Sequence, residues 1–326
     1  MHVVITGGAG FLGRRLARAL LARPTLTDAR GHARAVSSIT LLDVVAPVAL
    51  EADARLRAVV GDLADERVIG DAVGPDTDSV FHLAAVVSGE AEANFDLGMR
   101  VNLDATRRLL ERCRSLAAPA KCVFASSLAV FGGVLEDPVP DDAPLKPQSS
   151  YGTQKAMGEL LVYDMSRKGY IDGRSLRLPT VTVRPGKPNK AASSFASGII
   201  REPLAGIDAV CPVAPTTRMW VTSPRNVIEN LIAGHEAPAA AFGDTRSVNV
   251  PGLCVGVGEM VEALRQVAGN DVAARVRWNY DAVIDRIVST WPARFDTARG
   301  RALGMQADPD FESIVRAYVQ DQARAA

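Results

Sequence analysis

A glycine-rich segment near the start of the chain constrains its fold more than any other feature. The apolar run HVVIT leads into Thr6-Gly7-Gly8-Ala9-Gly10-Phe11-Leu12-Gly13, and an apolar helical pattern follows from Leu12 to Leu21. Between a strand and a helix, Gly7 permits a tight turn, Gly10 admits a pyrophosphate, and Gly13 allows close packing of helix on strand. The N–H groups at the helix start then bind the anion. The segment predicts a dinucleotide-binding site.

The first part of the chain repeats strand and helix patterns, which indicates βαβ units and a parallel sheet. Further strand-like runs are SITLLD, RAVVGD, SVFHLAA, KCVFA and RSLRLPTVTV. They are almost continuously apolar, as expected for strands buried between two layers of helices. We therefore predict an α/β protein with a Rossmann-type doubly wound parallel sheet of about six strands. Two irregular segments interrupt it, a polar loop at 24–37 and a proline-rich stretch at 137–150.

The chain has 326 residues, enough for about two domains. After Val183 the composition changes to turn-rich sequence with short helical and strand patterns. We predict a cofactor-binding domain at 1–183, with a returning segment near 213–250, and a smaller, mainly substrate-binding C-terminal domain at 184–326.

Charge and residue usage exclude several functions. Lysine plus arginine and aspartate plus glutamate each number 37, so no positive field exists to attract nucleic acid or anionic lipid. No apolar run is long enough to span a bilayer, and the N-terminus has no basic, cleavable leader. We expect a cytoplasmic protein with no nucleic-acid or membrane partner. The cysteines and histidines have no metal-ligand spacing, so we expect no metal.

Asp43, at the end of the second predicted strand, indicates which dinucleotide binds. A carboxylate there accepts hydrogen bonds from the adenosine ribose and repels a 2′-phosphate, so it favours NAD over NADP. Arg14, after the last glycine, keeps NADP as a minority alternative, although an arginine there is commonly solvated. Asp62 follows the third strand, where contact with the adenine edge and a structural role in the turn are equally reasonable.

Tyr151 and Lys155 lie one helical turn apart on one face of a predicted helix. A nearby ammonium favours the phenolate form of tyrosine, which can then remove a hydroxyl proton. Ser126 and Ser127 follow the strand KCVFA, at the sheet edge where such folds bind ligands, and a hydroxyl there can orient a substrate oxygen. A turn-forming role for these serines is the structural alternative.

These motifs, together with HLAA at 82–85 and FASSLAVFG at 124–132, resemble the extended short-chain dehydrogenase/reductase family of NAD-dependent epimerases and dehydratases. The resemblance spans about residues 1–235. It implies that Ser127 is catalytic, that Tyr151 is the base, and that Lys155 binds the cofactor ribose and lowers the pKa of the tyrosine. The cofactor-binding residues would be Gly7, Gly10, Phe11, Leu12, Asp43, Asp62, Leu63, Leu83, Ala84, Ala85, Asn102, Tyr151, Lys155 and Leu178.

Departures from the family pattern favour one subtype. Dehydratases carry an Asp-Glu pair after the catalytic serine or threonine, where this chain has Leu128-Ala129, and the segment after the sixth strand does not match epimerases. That segment resembles a branch of NAD-dependent dehydrogenases that oxidise the C2 hydroxyl of a four-carbon sugar acid. Basic residues there suit a small carboxylate. The predicted substrate-binding residues are Ser126, Ser127, Tyr151, Thr180, Arg184, Asn189, Lys190 and Arg218.

Two other functions stay open from the sequence. A nucleotide-sugar epimerase would need a diphosphate site in the second domain, and a sensor of NAD or NADP would bind cofactor without turnover. The family resemblance also suggests a homodimer through helices beside the one that carries Tyr151.

Overall fold

The computed structural model of the chain describes residues 1–48, 52–186 and 192–325. At its centre lies a sheet in which all neighbouring strands are parallel, in the spatial order Leu56–Val60, Ser38–Asp43, His2–Thr6, Thr77–His82, Lys121–Ser127, Asp172–Leu178 and Ser247–Asn249. The strands of the described ranges are β1 His2–Thr6, β2 Leu26–Thr27, β3 Ala33–Arg34, β4 Ser38–Asp43, β5 Leu56–Val60, β6 Thr77–His82, β7 Lys121–Ser127, β8 Asp172–Leu178, β9 Thr180–Val181, β10 Ala209–Cys211, β11 Arg218–Thr222, β12 Ser247–Asn249, β13 Leu253–Gly256 and β14 Val276–Trp278.

The helices connect these strands and cover both faces of the central sheet. They are α1 Phe11–Ala22, α2 Glu66–Ala72, α3 Ser88–Ala93, α4 Phe95–Gly98, α5 Ala105–Arg114, α6 Ser150–Arg167, α7 Ser194–Leu204, α8 Pro224–Glu236, α9 Val257–Ala268, α10 Asn270–Ala273, α11 Ala282–Val288, α12 Ala298–Ala302 and α13 Phe311–Ala325. A π-helical segment, Met99–Asp104, joins α4 to α5, and short 3₁₀ turns occur at Leu128–Val130 and Ala239–Phe242.

Burial in the central sheet follows from its two helical layers. Val3 and Ile5 of β1 face a core shared with α1 and α8, whereas Val4 faces the opposite core, shared with α2, α5 and α6. An inner strand with apolar neighbours on both faces has a continuous apolar sequence. The edge strand β5 differs, since Val60 is 54% exposed, so the expectation of full burial was wrong for RAVVGD.

Strand order places the carboxyl ends of β1 and β6 side by side, where the direction of chain crossover reverses. Open α/β sheets bind ligands in the crevice at this switch point. The glycine-rich segment follows β1, and HLAA ends β6 and begins its exit loop. The doubly wound fold class is confirmed, and its topology brings these two motifs together.

The central sheet and a separate two-stranded sheet each show one detail that was not predicted. The central sheet has seven strands rather than about six, because the three-residue β12 pairs with β8 through Ser247–Asn249. In addition, the segment expected to be a loop at 24–37 contains the antiparallel pair of β2 and β3. Both elements are too short to show an apolar period, so sequence pattern alone does not reveal them.

The chain after Val183, together with β9, forms a second packed region. Its strands are β13-β11-β9 and the pair β10-β14, and its core contains Ile199, Met219, Leu264 and Phe311. In the same part of the chain, α8 packs against the main sheet and β12 extends it. The division into domains at 1–183 and 184–326 stays a prediction.

Candidate active site

The glycine-rich loop is shaped by close backbone contacts. Gly7 has φ +70°, in the left-handed region that favours glycine. A Cβ on Gly13 would lie 2.2 Å from the carbonyl oxygen of Gly7, so helix α1 starts closer to the loop than any side chain permits. The Ala9 N–H donates to Oδ2 of Asp43 at 2.9 Å, which ties the loop to the end of β4. The loop and Asp43 therefore form one preorganised wall.

A cavity of about 1830 Å³ begins at this wall and runs past the ends of β6, β7 and β8. A drug-sized ligand typically occupies a pocket of about 300–1000 Å³, so this cavity has room for a dinucleotide and a second small molecule. Of the predicted cofactor-binding residues, those that line it are Gly7, Gly10, Phe11, Leu12, Asp43, Asp62, Leu63, Leu83, Ala84, Ala85, Tyr151, Lys155 and Leu178. The glycine-rich loop, the aspartate at the end of β4 and the size of the cavity fit NAD.

Asn102 lies behind this cavity wall and is 2% exposed. Its Oδ1 accepts the Val86 N–H at 2.8 Å, and its Nδ2 donates to the Val86 carbonyl at 3.0 Å and to Oε1 of Gln154 at 2.8 Å. The side chain thus holds the loop after β6 against helix α6. Asn102 therefore contacts other residues of the protein, and it is not among the described residues that line the cavity.

The two other polar residues considered for the adenosine end have partners in the fold. Asp62 accepts the Ala64 N–H at 2.8 Å and is paired with Arg100, and these bonds, led by that N–H, lower the pKa of its carboxyl. Asp62 therefore stabilises the turn after β5 and also lines the cavity. Arg14 donates from Nη1 to the Val48 carbonyl at 2.9 Å and is not among the described residues that line the cavity.

Helix α6 brings Tyr151 to Ser127. Ser149 begins the helix by accepting the Gly152 N–H on its Oγ at 3.1 Å. A Cβ on Gly152 would lie 2.1 Å from the carbonyl oxygen of Ala129, so the helix packs directly on the turn after β7. Ser127 accepts the Ala129 N–H at 3.1 Å and is within hydrogen-bonding reach of the Tyr151 phenol.

Burial has the largest effect on the pKa values of Tyr151 and Lys155, the two candidate catalytic residues. It raises the pKa of Tyr151 to about 12, against the opposing effects of the Ser127 hydrogen bond and the charge of Arg184. It lowers the pKa of Lys155 to about 7, although Glu159 acts in the opposite direction. Lys155 donates to the Ala125 carbonyl at 2.8 Å, and its Nζ lies 5.7 Å from the centre of the Tyr151 ring. Among the described residues, Arg184 is the cation whose charge favours the phenolate.

The neighbouring serines of β7 have different surroundings, because side chains of a strand alternate between its faces. Ser126 is 2% exposed, and its hydroxyl donates to Oε1 of Glu159 at 2.5 Å. Glu159 is also bound by Arg177, whose Nη2 lies 2.8 Å from Oε2. Ser126 borders the cavity, but its hydroxyl belongs to this buried ion pair.

The predicted substrate residues Thr180, Arg184 and Arg218 also line the cavity, whereas Asn189 and Lys190 lie outside the described residues. Arg184 is held by its backbone: its N–H donates to Ser197 Oγ at 3.0 Å, and its carbonyl accepts Arg201 Nη1 at 2.9 Å. Burial, followed by the charge of Arg201, lowers the pKa of Arg184. Arg218 is half exposed and donates to Cys254 Sγ at 3.2 Å.

Sequence reasoning missed the wall that faces these residues. It comes from the α7 region, from β11 and from the segment around α11, and its members include Ser193, Phe195, Gly198, Glu202, Trp220, Arg286 and Trp291. No motif marks these positions, and they meet only through tertiary packing. Within the described ranges, no cluster of three histidine, cysteine, aspartate or glutamate residues is placed to hold a metal. Nor does any helix described there have the length and apolarity to cross a membrane.

Comparison with known proteins identifies the family. Residues 3–218 match the NAD dependent epimerase/dehydratase family. The chain belongs to this family. Its NAD dependence and its place among oxidoreductases, expected from the motifs, are confirmed.

Three relatives match over nearly their whole length. A D-erythronate dehydrogenase of Cupriavidus necator is 58% identical and covers 100% of both chains. A D-erythronate dehydrogenase of Haemophilus influenzae is 44% identical over 98% of this chain and 99% of its own. A solved structure described as a nucleoside-diphosphate-sugar epimerase from Agrobacterium tumefaciens is 41% identical, with a TM-score of 0.89, and covers 100% of this chain and 95% of its own. The homodimer stays a prediction.

Proposed function

We propose that this protein oxidises the C2 hydroxyl of a four-carbon sugar acid, D-erythronate, to the 2-oxo acid with NAD. The observation that carries the proposal is that Arg184 lines the same cavity as Tyr151, Ser127 and Lys155, and its charge opposes the rise that burial causes in the pKa of Tyr151. In a 2-hydroxy acid the carboxylate is bonded to C2. A substrate whose C2 hydroxyl meets Tyr151 therefore brings its carboxylate to Arg184, and guanidinium groups bind carboxylates with paired hydrogen bonds. The two full-length dehydrogenase relatives support this substrate.

In the proposed reaction, Tyr151 removes the proton of the C2 hydroxyl while Ser127 donates a hydrogen bond that orients the same oxygen. Bound NAD supplies the hydride acceptor. As the C2 hydride leaves, the C2–O bond becomes a carbonyl, and the proton remains on Tyr151. Lys155 is fixed on the Ala125 carbonyl at 2.8 Å, and its other N–H donors would bind the cofactor ribose. Arg184 would hold the substrate carboxylate, and its charge favours the phenolate before the acid binds.

Epimerisation of a nucleotide sugar is the second candidate, since the 41% identical Agrobacterium structure is described as such an epimerase. A large cavity would also admit a nucleotide sugar. A cation beside the base suits a small acid better, because an epimerase binds a neutral sugar ring at that point. Retention of Ser127, Tyr151 and Lys155 argues against a sensor without turnover.

The test is the formation of NADH by purified protein with D-erythronate, L-threonate, longer aldonates and a panel of nucleotide sugars, each with NAD and with NADP. We expect strong turnover of a tetronate with NAD. Interconversion of nucleotide sugars without net NADH, together with no oxidation of any acid, would exclude the dehydrogenase and establish the epimerase.

Replacing Arg184 by methionine is expected to raise KM for the tetronate by about 10- to 100-fold, with a smaller effect on kcat. Hydrogen bonds to charged groups contribute about 1.5–3 kcal/mol, which corresponds to this range of affinity. Steady-state kinetics against substrate concentration measure the change. Arg167→Met is the control, because Arg167 pairs with Asp164 in an exposed i,i+3 bridge. An unchanged KM in Arg184→Met would remove Arg184 from the substrate site.

A further inference from the structure

The side-chain nitrogen of Lys155 lies over an aromatic ring that has no part in the proposed reaction. Its Nζ is 4.6 Å from the centre of the Phe124 ring, compared with 5.7 Å from the centre of the Tyr151 ring. A cation within about 6 Å of a ring centre is attracted by the negative face of the ring. Phe124 and Lys155 are each 2% exposed, so little water competes with this attraction.

Two features of the fold fix the ring beneath the lysine. Phe124 precedes Ala125 on β7, and the Ala125 carbonyl accepts a hydrogen bond from Lys155 Nζ at 2.8 Å. On α6, Gly158 lies three residues after Lys155, and a Cβ there would lie 2.7 Å from Cζ of Phe124. Because position 158 has no side chain, the helix can lie this close to the ring. Strand and helix together bring Nζ to both the ring face and a carbonyl oxygen.

The charge of Lys155 receives little support from the other titratable groups around it. Burial lowers its pKa to about 7, and the charge of Glu159, four residues farther along the helix, acts in the opposite direction. Glu159 is itself paired with Arg177 at 2.8 Å. His82 of β6, whose ring centre lies 5.5 Å from that of Phe124, stays neutral because burial, followed by the charge of Lys155, lowers its pKa to about 3. The Phe124 ring therefore supplies an attraction for the ammonium that these groups do not.

We propose that Phe124 is a positioning residue for the cofactor, because its ring face keeps Lys155 in the ammonium form. This inference rests on the proposed function, in which Lys155 binds the cofactor ribose. An ammonium has three N–H donors and a neutral amine has two. The Ala125 carbonyl takes one of them, so the ammonium keeps two for the ribose and the amine keeps one. Loss of the charge should therefore weaken cofactor binding.

The direct test is the titration of Lys155 in the protein without cofactor. The chain has six lysines, so lysine labelled with ¹³C at Cε gives six resonances to follow by NMR against pH, and Lys155→Met assigns one of them. Position 124 then receives 3,5-difluorophenylalanine or 2,3,5,6-tetrafluorophenylalanine. Ring fluorines withdraw electron density from the ring face, and both analogues keep hydrogen at the para position beside Gly158. We expect the Lys155 midpoint to fall in two steps, by about 0.5–1.5 pH units in total.

Standard substitutions provide a second variant and a matched control. Phe124→Leu removes the ring and is expected to lower the Lys155 midpoint as well. Phe81 is also a buried ring of a central strand, but it stacks on His235 in the opposite core layer, so Phe81→Leu should leave this midpoint unchanged. Lys121, whose pKa burial lowers to about 8, is the internal reference and should titrate alike in the wild type and in every Phe124 variant.

Calorimetric titration with NAD at a series of pH values measures the consequence for the cofactor. Wild-type affinity should begin to fall as the pH rises through the Lys155 midpoint of the free protein, because the ammonium is then lost. In the tetrafluorophenylalanine variant, the fall should begin at a pH that is lower by the shift seen in the NMR titration.

The two measurements separate the role of the ring from the proposed function. An unchanged Lys155 midpoint in both fluorinated variants would overturn the role of the ring. A lowered midpoint with an unchanged pH dependence of NAD affinity would overturn the connection between the ring and the cofactor. No NAD-dependent oxidation of any acid by the wild type would overturn the proposed function. In that case, a lowered midpoint and an earlier loss of NAD affinity would still support the role of Phe124.

Discussion

Replacement of Tyr151 by phenylalanine is expected to lower turnover by about 10²- to 10⁴-fold, the usual contribution of a positioned general base. Phenylalanine keeps the ring but has no oxygen to receive the proton of the substrate hydroxyl. The glycine-rich loop and Asp43 are untouched, so NAD affinity should stay within a few-fold of the wild type. NADH formation gives the rate, and calorimetric titration with NAD gives the affinity.

Tyr163, on the same helix, provides the matched control. It is 38% exposed, and Tyr163→Phe removes the same hydroxyl away from the cavity lining. Its turnover should equal that of the wild type. If Tyr151→Phe retained a near-normal rate, the base would have to be another group and the proposed mechanism would fail.

Replacement of Arg177 by methionine is expected to lower the free energy of unfolding by about 3–5 kcal/mol, because it leaves a buried carboxylate without its cation. Arg177 and Glu159 are 5% and 2% exposed, and the guanidinium holds the carboxylate through both Nε and Nη2. The double variant Arg177→Met/Glu159→Leu removes both charges and should recover much of the loss. Urea unfolding followed by circular dichroism measures each value.

The exposed pair of Arg167 and Asp164 is the reference for this comparison. Its side chains are 57% and 52% exposed, so Arg167→Met should change stability by less than about 1 kcal/mol. If Arg177→Met also lowered the free energy of unfolding by less than about 1 kcal/mol, water would have to solvate Glu159 after the change. The buried pair would then contribute little to the stability of the fold.

Sequence predicted those parts of the site that depend on local geometry. The glycine spacing, Asp43 at a strand end, and the pair Tyr151 and Lys155 one turn apart each follow from a single element, and the parallel sheet brings these elements to one edge. The two serines were predicted together, although they face different surroundings. Because neighbouring side chains of a strand point to opposite faces, the strand pattern itself implies that Ser126 and Ser127 cannot share one role.

The substrate side of the cavity could not be predicted in this way. Glu202 and Gly198 share a wall with Arg184 because Ser197 and Arg201 of α7 bind the Arg184 backbone. These contacts depend on how helix α7 docks after the chain leaves the main sheet. The sequence between the main sheet and α7 carries no hydrophobic period that specifies this docking. Strand β12 likewise joins the sheet from a position still farther along the chain.

The contact at Gly152 has a consequence for attempts to diversify this enzyme. Any side chain at that position would collide with the Ala129 carbonyl and push the start of α6 away from the end of β7. A saturation library at position 152, screened for activity, should therefore return glycine alone, even though the residue performs no chemistry. Redesign of substrate preference is better directed at the wall formed by α7, where a methyl at Gly198 meets its neighbours at ordinary distances.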